Sequence, residues 1–353
     1  MCIRWARSIT IVASVLAALV VPGSPALTDA CASISLDAML GTSNIGVYWN
    51  GENCVRGREP APRARYGHSM VTIGNGAVIM FGGKTPALGA QRNVKSSDAK
   101  DTYRNDVDLL DVKRSVWIRL VALGTLPHAR AAHTAVSWRG ASGTWKMTIF
   151  SGAGAKFVAD AHTFDVATNT WSELIATPPP PPGETPKKRS YGTAVSWVDE
   201  LSGAWQMTLF AGGSQGAKGD LDDVHTLNLA TGAWSGTVTT TGIAPEPRFH
   251  HSAVSWRSTS GEWKMTIFGG IGLTAMLADV NTLTLASSVW SGTISTTGTA
   301  PLPRLTHTAV GWTTASGARQ MTIYGGYDYF TAETFAAVFT LDLGADVWSF
   351  MGE

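Results

Sequence analysis

Charge and cysteine are both scarce in this 353-residue chain, and each scarcity excludes something. Charged residues make up 15% of it and sum to +1, which leaves no electrostatic footprint for nucleic acid or an anionic membrane. The three cysteines, Cys2, Cys31 and Cys54, all precede residue 60. A cysteine-based metal site or nucleophile in the main body is therefore ruled out. Also missing are a Gly-x-Ser-x-Gly elbow, a phosphate loop, a zinc signature and a calcium loop. No catalytic residue, metal or cofactor is assigned on this evidence. Past residue 21 there is no apolar run long enough to span a bilayer. What is abundant is glycine (38 residues) and tryptophan (14), which suits a β-rich chain with many tight turns.

The N-terminus reads as a targeting segment. Arg4 and Arg7 form a basic start, residues 9–21 are apolar apart from Thr and Ser, and Pro22, Gly23 and Pro25 end any helix. This pattern predicts a signal peptide over residues 1–30, cleaved after Ala26 or Ala30, and a secreted, extracellular product without a membrane span. An uncleaved anchor is the bland alternative. Lipidation at Cys31 is a third, against which Thr28 and the long gap after the apolar run both argue. In an oxidising compartment Cys31 and Cys54 would most simply pair in a disulfide; two free thiols are the other reading.

Self-comparison is the informative step. Five stretches open on an Arg, and four of them carry a His three residues later: Arg65/His68, Arg130/His133, Arg248/His251 and Arg304/His307, with Arg189/Gly192 the variant. The Arg-to-Arg steps are 65, 59, 59 and 56 residues. Each Arg leads into a short apolar strand, and in four repeats a Trp follows eight residues after it: Trp138, Trp197, Trp256 and Trp312. A turn and a second apolar run follow, ending in small residues: Gly82-Gly83, Ser151-Gly152, Gly212-Gly213, Gly269-Gly270 and Gly325-Gly326. A third element opens on Asp106, Asp160, Asp223, Asp279 or Ala337. Eleven residues later comes a further Trp: Trp117, Trp171, Trp234, Trp290 or Trp348. Strand-turn-strand with period-2 alternation, four strands to a unit, predicts a four-stranded antiparallel sheet per repeat.

The paired glycines after strand two and the Trp of strand four resemble the kelch repeat, over about residues 60–353. That resemblance implies an all-β fold, a kelch-type β-propeller of the galactose oxidase class, here with five four-stranded blades over residues 60–353. Residues 31–59 would then be an N-terminal cap or partial blade. Trp49 stands sixteen residues before Arg65, within the spread of the later Trp-to-Arg gaps, so six blades with a partial N-terminal blade over residues 36–49 is the alternative. The repeated Gly, Trp, Arg, His and Asp read as structural groups, because one active site needs unlike residues and repetition supplies like ones. The copper-radical chemistry of galactose oxidase needs a Tyr–Cys crosslink, which a repeat region without cysteine cannot make.

Strand order puts the short strand 1–2 and 3–4 turns on one face and the variable strand 2–3 loops on the other, the expected binding face. Candidate binding residues there are Lys84, Arg92 and Tyr103 in the loop over residues 84–105, and Tyr327, Asp328, Tyr329 and Phe330 in a short aromatic loop. Aromatics beside a carboxylate suit sugar stacking or a protein hot spot, and packing explains the second loop equally well. Residues 178–182 are five consecutive prolines, read as a stiff spacer. The expected function is a secreted binding module for a protein or glycan. The alternative is a carbohydrate-active enzyme (epimerase, mutarotase or oxidase-like), which predicts an asymmetric polar pocket at the channel mouth with a shifted pKa.

Overall fold

The computed structural model describes residues 61–352, apart from 75, 87–101, 175–184 and 215–219, together with the backbone of two short strands before residue 61. All regular structure among these residues is β. Five antiparallel sheets follow one another as the blades of a propeller. Blade 1 comprises Ser69–Thr72, Ala77–Phe81, Val107–Asp111 and Val116–Leu120. Blade 2 comprises Thr134–Arg139, Trp145–Phe150, Ala161–Asp165 and Thr170–Glu173. Blade 3 is Thr193–Val198, Trp205–Ser214, Asp220–Asn228 and Trp234–Thr237. Blade 4 is Ser252–Arg257, Trp263–Ile271, Met276–Thr284 and Val289–Thr293. Blade 5 is Thr308–Thr313, Arg319–Tyr324, Val338–Asp342 and Val347–Gly352.

Four blades exceed the four strands expected of them. In three the entering linker runs along the outer edge as a fifth strand, parallel to strand four: Leu123–Gly124 in blade 2, Thr241–Ile243 in blade 4 and Thr297–Gly298 in blade 5. Gly242 shows why a glycine stands there: its φ is +78°, and a Cβ would lie 2.1 Å from the Trp290 carbonyl oxygen. In blade 3 the extra strand is Arg189–Ser190, antiparallel to the end of strand two. Ahead of blade 1, Gly46–Trp49 pairs antiparallel with Cys54–Gly57 as a hairpin of its own. The rest of the segment over residues 31–59, the Cys31–Cys54 pairing and the signal segment lie outside the described residues. No helix among the described residues is long and apolar enough to cross a membrane.

Each core cluster lies between two blades rather than within one. Val136, Trp138 and Phe150 of blade 2, for example, pack on Met207, Leu209 and Leu227 of blade 3. The strand-four Trp fills the wedge, its ring 4.8–5.1 Å from the strand-two Phe of the preceding blade in Phe81–Trp171, Phe150–Trp234, Phe210–Trp290 and Phe268–Trp348. Indoles of strand one, buried or half-buried, are satisfied inside their own blade: Trp138, Trp197 and Trp256 each donate Nε1–H to a strand-two threonine, Thr148, Thr208 or Thr266.

A polar lattice repeats with the core. Each repeat Arg donates Nη1–H to the carbonyl of the first small residue after strand two: Gly82, Ser151, Ala211, Gly269 or Gly325. In four blades it also forks onto the Asp that opens strand three, at 2.6–2.7 Å for the Nη1 contact. Blade 5 has Ala337 in that place. There the buried Arg304 guanidinium stacks on Phe335 and Phe339, 4.4 and 5.2 Å from the ring centres. Across junctions the repeat His shares a 2.7 Å hydrogen bond with the hydroxyl that opens strand one of the preceding blade (Ser69–His133, Ser252–His307), and His251 reaches Thr193 in the same way. The N–H of Gly83, Gly152, Gly212 or Gly270 donates to the Arg carbonyl of the next blade.

Candidate functional site

The two inner positions of the Arg-x-x-His motif break the repetition, and the second of them is held in a special conformation. The residue two after each Arg is Gly67, Ala132, Tyr191, His250 or Thr306, and all five hold left-handed backbone, with φ between 55° and 64°. Four of them are not glycine, and Thr306 is β-branched, so the conformation is imposed by the surroundings. The cause is a hydrogen-bonded relay from blade to blade: Ala132 N–H donates to Gly67 C=O, Tyr191 to Ala132, His250 to Tyr191 and Thr306 to His250, at 2.7–3.2 Å. Inner strands surround the axis of a propeller, so this relay brings five unlike side-chain positions round one end of it.

Tyr191 and His250 are its chemically rich members. Their rings lie 3.7 Å apart, tilted by 32°, and Phe249 is 5.0 Å from the His250 ring. Burial lowers the His250 pKa to about 4, so the imidazole is neutral at pH 7. Burial raises the Tyr191 hydroxyl, and the nearby Tyr66 and Tyr103 push it the same way, while Lys84 opposes them. Tyr66, Lys84 and Tyr103 are thus within electrostatic reach of Tyr191. Lys84–Thr85 pairs with Thr102–Tyr103, which sets Lys84 directly opposite Tyr103. The Lys84 ammonium stands 5.2 Å from the Tyr103 ring centre and 5.9 Å from that of Tyr66. Tyr66 is held by backbone bonding to Lys84 in both directions.

Of the residues picked from sequence, Lys84 and Tyr103 meet at this cluster, and Arg92 lies outside the described residues. In the aromatic loop, Tyr327 is tied by backbone to Leu305 and Thr334. Asp328 is a turn former: its Oδ1 accepts the N–H groups of Phe330 and Thr331. Tyr329 and Phe330 project into solvent, 63% and 67% exposed, with their rings 5.7 Å apart. Sequence reasoning missed Tyr66, Tyr191 and His250. The available signal was variation at the two inner positions of the Arg-x-x-His motif, with Tyr66 at the first of them and Tyr191 and His250 at the second.

Away from this cluster a cavity of about 650 Å³ opens at the turn end of the blade 4–blade 5 junction, lined by Trp256, Thr282, Trp290, Arg319 and Asp342 among others. Its Trp and Thr residues are the repeated structural ones, and Arg257, Lys264 and Asp346 join Arg319 and Asp342 in its lining. Among the described residues no three His, Cys, Asp or Glu side chains stand close enough to share a metal ion.

Wedge tryptophans, the Arg–Asp forks and the paired small residues together define a kelch-type β-propeller. Comparison with known proteins places it further: the KLHDC2/KLHL20/DRC7 Kelch-repeats domain matches residues 49–202 and 176–352, and the chain belongs to that kelch-repeat family. It is 29% identical over 280 residues to human host cell factor 2, covering 76% of this chain and 31% of that protein. It is 27% identical over 263 residues to acyl-CoA-binding domain-containing protein 4 of Arabidopsis thaliana (70% of this chain, 33% of that protein). Against the flagellar outer-arm dynein alpha chain of Chlamydomonas reinhardtii it is 25% identical over 254 residues, 70% of this chain and 5% of that one. The chain thus spans a third or less of the length of these curated relatives.

Proposed function

We propose that this propeller is a protein-interaction module whose recognition surface is centred on the Tyr66, Lys84, Tyr103, Tyr191 and His250 cluster. The observation that carries the reading is the break in repetition: unlike aromatic and polar groups gather at positions that the fold otherwise treats alike. Aromatic side chains around one cation give large contact area with few rotors to freeze, the composition of binding hot spots. The strained backbone beneath Tyr191 and His250 holds both rings before a ligand arrives, which lowers the ordering cost of binding. A glycan is the second reading, favoured by the stacked and exposed rings and by the neutral imidazole, which can donate and accept hydrogen bonds at pH 7. Secretion is part of the proposal and rests on the N-terminal basic and apolar pattern of residues 1–30.

The test takes partners identified by proximity labelling of the expressed protein and purifies them for direct affinity measurement. Tyr103→Ala and Tyr191→Ala weaken binding by about 2 kcal/mol each or more. Leu201→Ser, on the turn face, leaves it unchanged. A partner whose affinity falls with Leu201→Ser and not with the mouth variants would overturn the assignment. A glycan array probed with the same three variants decides the second reading. Export is checked by mass spectrometry of the N-terminus of the mature protein in the culture medium.

A further inference from the structure

The flank of blade 1 holds a cluster of arginines that no other blade reproduces. Arg63, Arg65, Arg104 and Arg119 line a cavity of about 280 Å³ together with a single acid, Asp106. Arg65 is the repeat arginine, with a side chain 3% exposed, and forks onto Asp106 as its counterparts do. The other three are additions. Where blade 1 has Arg63, two before the repeat Arg, the later blades have His128, Lys187, Glu246 and Leu302. Where it has Arg104, two before the strand-three Asp, they have Val158, Leu221, Leu277 and Phe335. Arg119 pairs across the sheet with Asp108, a place taken by Glu173 opposite His162 in blade 2 and Thr293 opposite Asn281 in blade 4.

The charges do not cancel within the cluster. Asp106 is shared between Arg65 and Arg119, the latter at 3.1 Å, and Asp108 takes the Arg119 Nε–H. Arg104 donates Nε–H to the Thr85 hydroxyl, 3.2 Å away. Among the described residues neither Arg63 nor Arg104 has a carboxylate partner. Among the described residues four guanidinium groups therefore face two carboxylates, which leaves the charges of Arg63 and Arg104 unbalanced there, around a cavity that Arg65 enters from a buried position. Asp106, Asp108 and Arg119 lie on the same side of the sheet as Trp117 and Leu110, the side that in blades 2 to 5 packs on the preceding blade. In blade 1 Leu110 and Trp117 are only half-buried, so the cavity is reached from outside.

We infer that this cavity binds a tetrahedral dianion, a phosphate or sulfate group, seated against Arg63 and Arg104. Guanidinium forks present paired donors to such oxyanions in a geometry that ammonium groups do not, and a dianion balances the excess of two. None of the residues lining it belongs to the mouth cluster, and the inference does not depend on the reading given above.

Titration calorimetry of the full chain tests it, with inorganic phosphate, inorganic sulfate and phenyl phosphate as probes at constant ionic strength. Wild type shows saturable one-to-one binding, with phosphate gaining affinity from pH 6 to 8 as its second proton leaves and sulfate showing no such gain. Arg104→Leu weakens binding about tenfold or more, and Arg63→Leu/Arg104→Leu abolishes it. Leucine is native at both positions in other blades, so these variants keep the wild-type melting temperature in anion-free buffer. Phenyl phosphate binding more tightly than the free anion identifies a phosphate carried on a larger ligand, and the reverse order a free ion; both fit the inference. Non-saturable heats in wild type, or unchanged affinity in the double variant, would overturn it.

Discussion

The junction between blades 4 and 5 and the edge where blade 5 would meet blade 1 carry the same residue types in opposite states. Between blades 4 and 5, Val254 is 5% exposed and Phe268 fully buried, with His307 and Trp348 against the Phe268 ring. The equivalents on blade 5, Val310, Trp312 and Tyr324, are 53%, 47% and 55% exposed. Four junctions share the Gly-to-Arg hydrogen bond, the left-handed relay and the Phe–Trp wedge; among the described residues none of the three recurs from blade 5 to blade 1. Blade sequence alone therefore does not create a buried face. Burial comes from what the neighbour supplies, and a blade 5 face of standard composition has no such neighbour among the described residues.

The largest effect that sharpens this contrast is truncation of the wedge. Phe268→Ala should cost about 3–5 kcal/mol, because the ring is fully enclosed and its removal leaves a cavity. Tyr324→Ala, at the matching position, should cost less than about 1 kcal/mol. Urea unfolding of both variants, at matched slope, measures the difference. Equal losses would mean that the blade 5 face is covered in solution.

Next in size is the Arg–Asp fork. Asp279→Ala strands the fully buried Arg248, which retains only its carbonyl contacts, and should destabilise by about 3 kcal/mol or more. Calorimetric melting of this variant beside Asp106→Ala, where the Asp108 carboxylate remains 3.9 Å from Arg65, should give the smaller drop for blade 1.

Acid offers a third probe of the packed junctions. Burial lowers His133 and His307 to about 3 and holds His251 well below its ordinary value, with the neighbouring repeat arginines adding to the effect. Their folded pKa values lie under the unfolded one, so the unfolded chain binds more protons. The stability they confer is complete above about pH 6.5 and is lost as pH falls from there toward 3. Each contributes a slope of about 1.4 kcal/mol per pH unit within that window. Urea midpoints at pH 7, 6 and 5 should fall steeply, and His251→Gln should flatten the fall by one histidine's share. Below pH 4 the Arg-paired Asp160 and Asp223, whose pKa values are lowered, add their own loss.

Much of this was legible in sequence because propellers repeat themselves. The Arg, His, Asp, Trp and paired-glycine spacings gave the strands, their order and the five blades directly. The outer fifth strands were missed although Gly124, Gly242 and Gly298 each stand six residues before a repeat Arg, a spacing as regular as the others. The mouth cluster was half visible: Lys84 and Tyr103 sat in a long variable loop, whereas Tyr191 and His250 sat inside the motif. What joins them is backbone hydrogen bonding between blades some 60 residues apart, which no local pattern announces. The arginine cavity was hidden for the same reason, since Arg63, Arg104 and Arg119 converge only once the blade is folded.

Ala337 was visible as a departure from the repeat, but its consequence was not, and it supplies the smallest test of the comparison. In the other four blades a carboxylate balances the repeat arginine, whereas in blade 5 the aromatic faces of Phe335 and Phe339 take its place. A desolvated cation over an aromatic ring is worth about 2 kcal/mol, no less than the roughly 0–1 kcal/mol of an ion pair open to solvent. Ala337→Asp should therefore raise stability by no more than about 1 kcal/mol at pH 7. The added carboxylate, paired with Arg304, would titrate below its unfolded value, so the gain is present above about pH 4 and lost as pH falls below it. Chemical denaturation of this variant at pH 7 and at pH 3 reads both quantities. A gain of several kcal/mol at pH 7 would show that the rings do not replace the acid and that Arg304 stands as an unmatched buried charge.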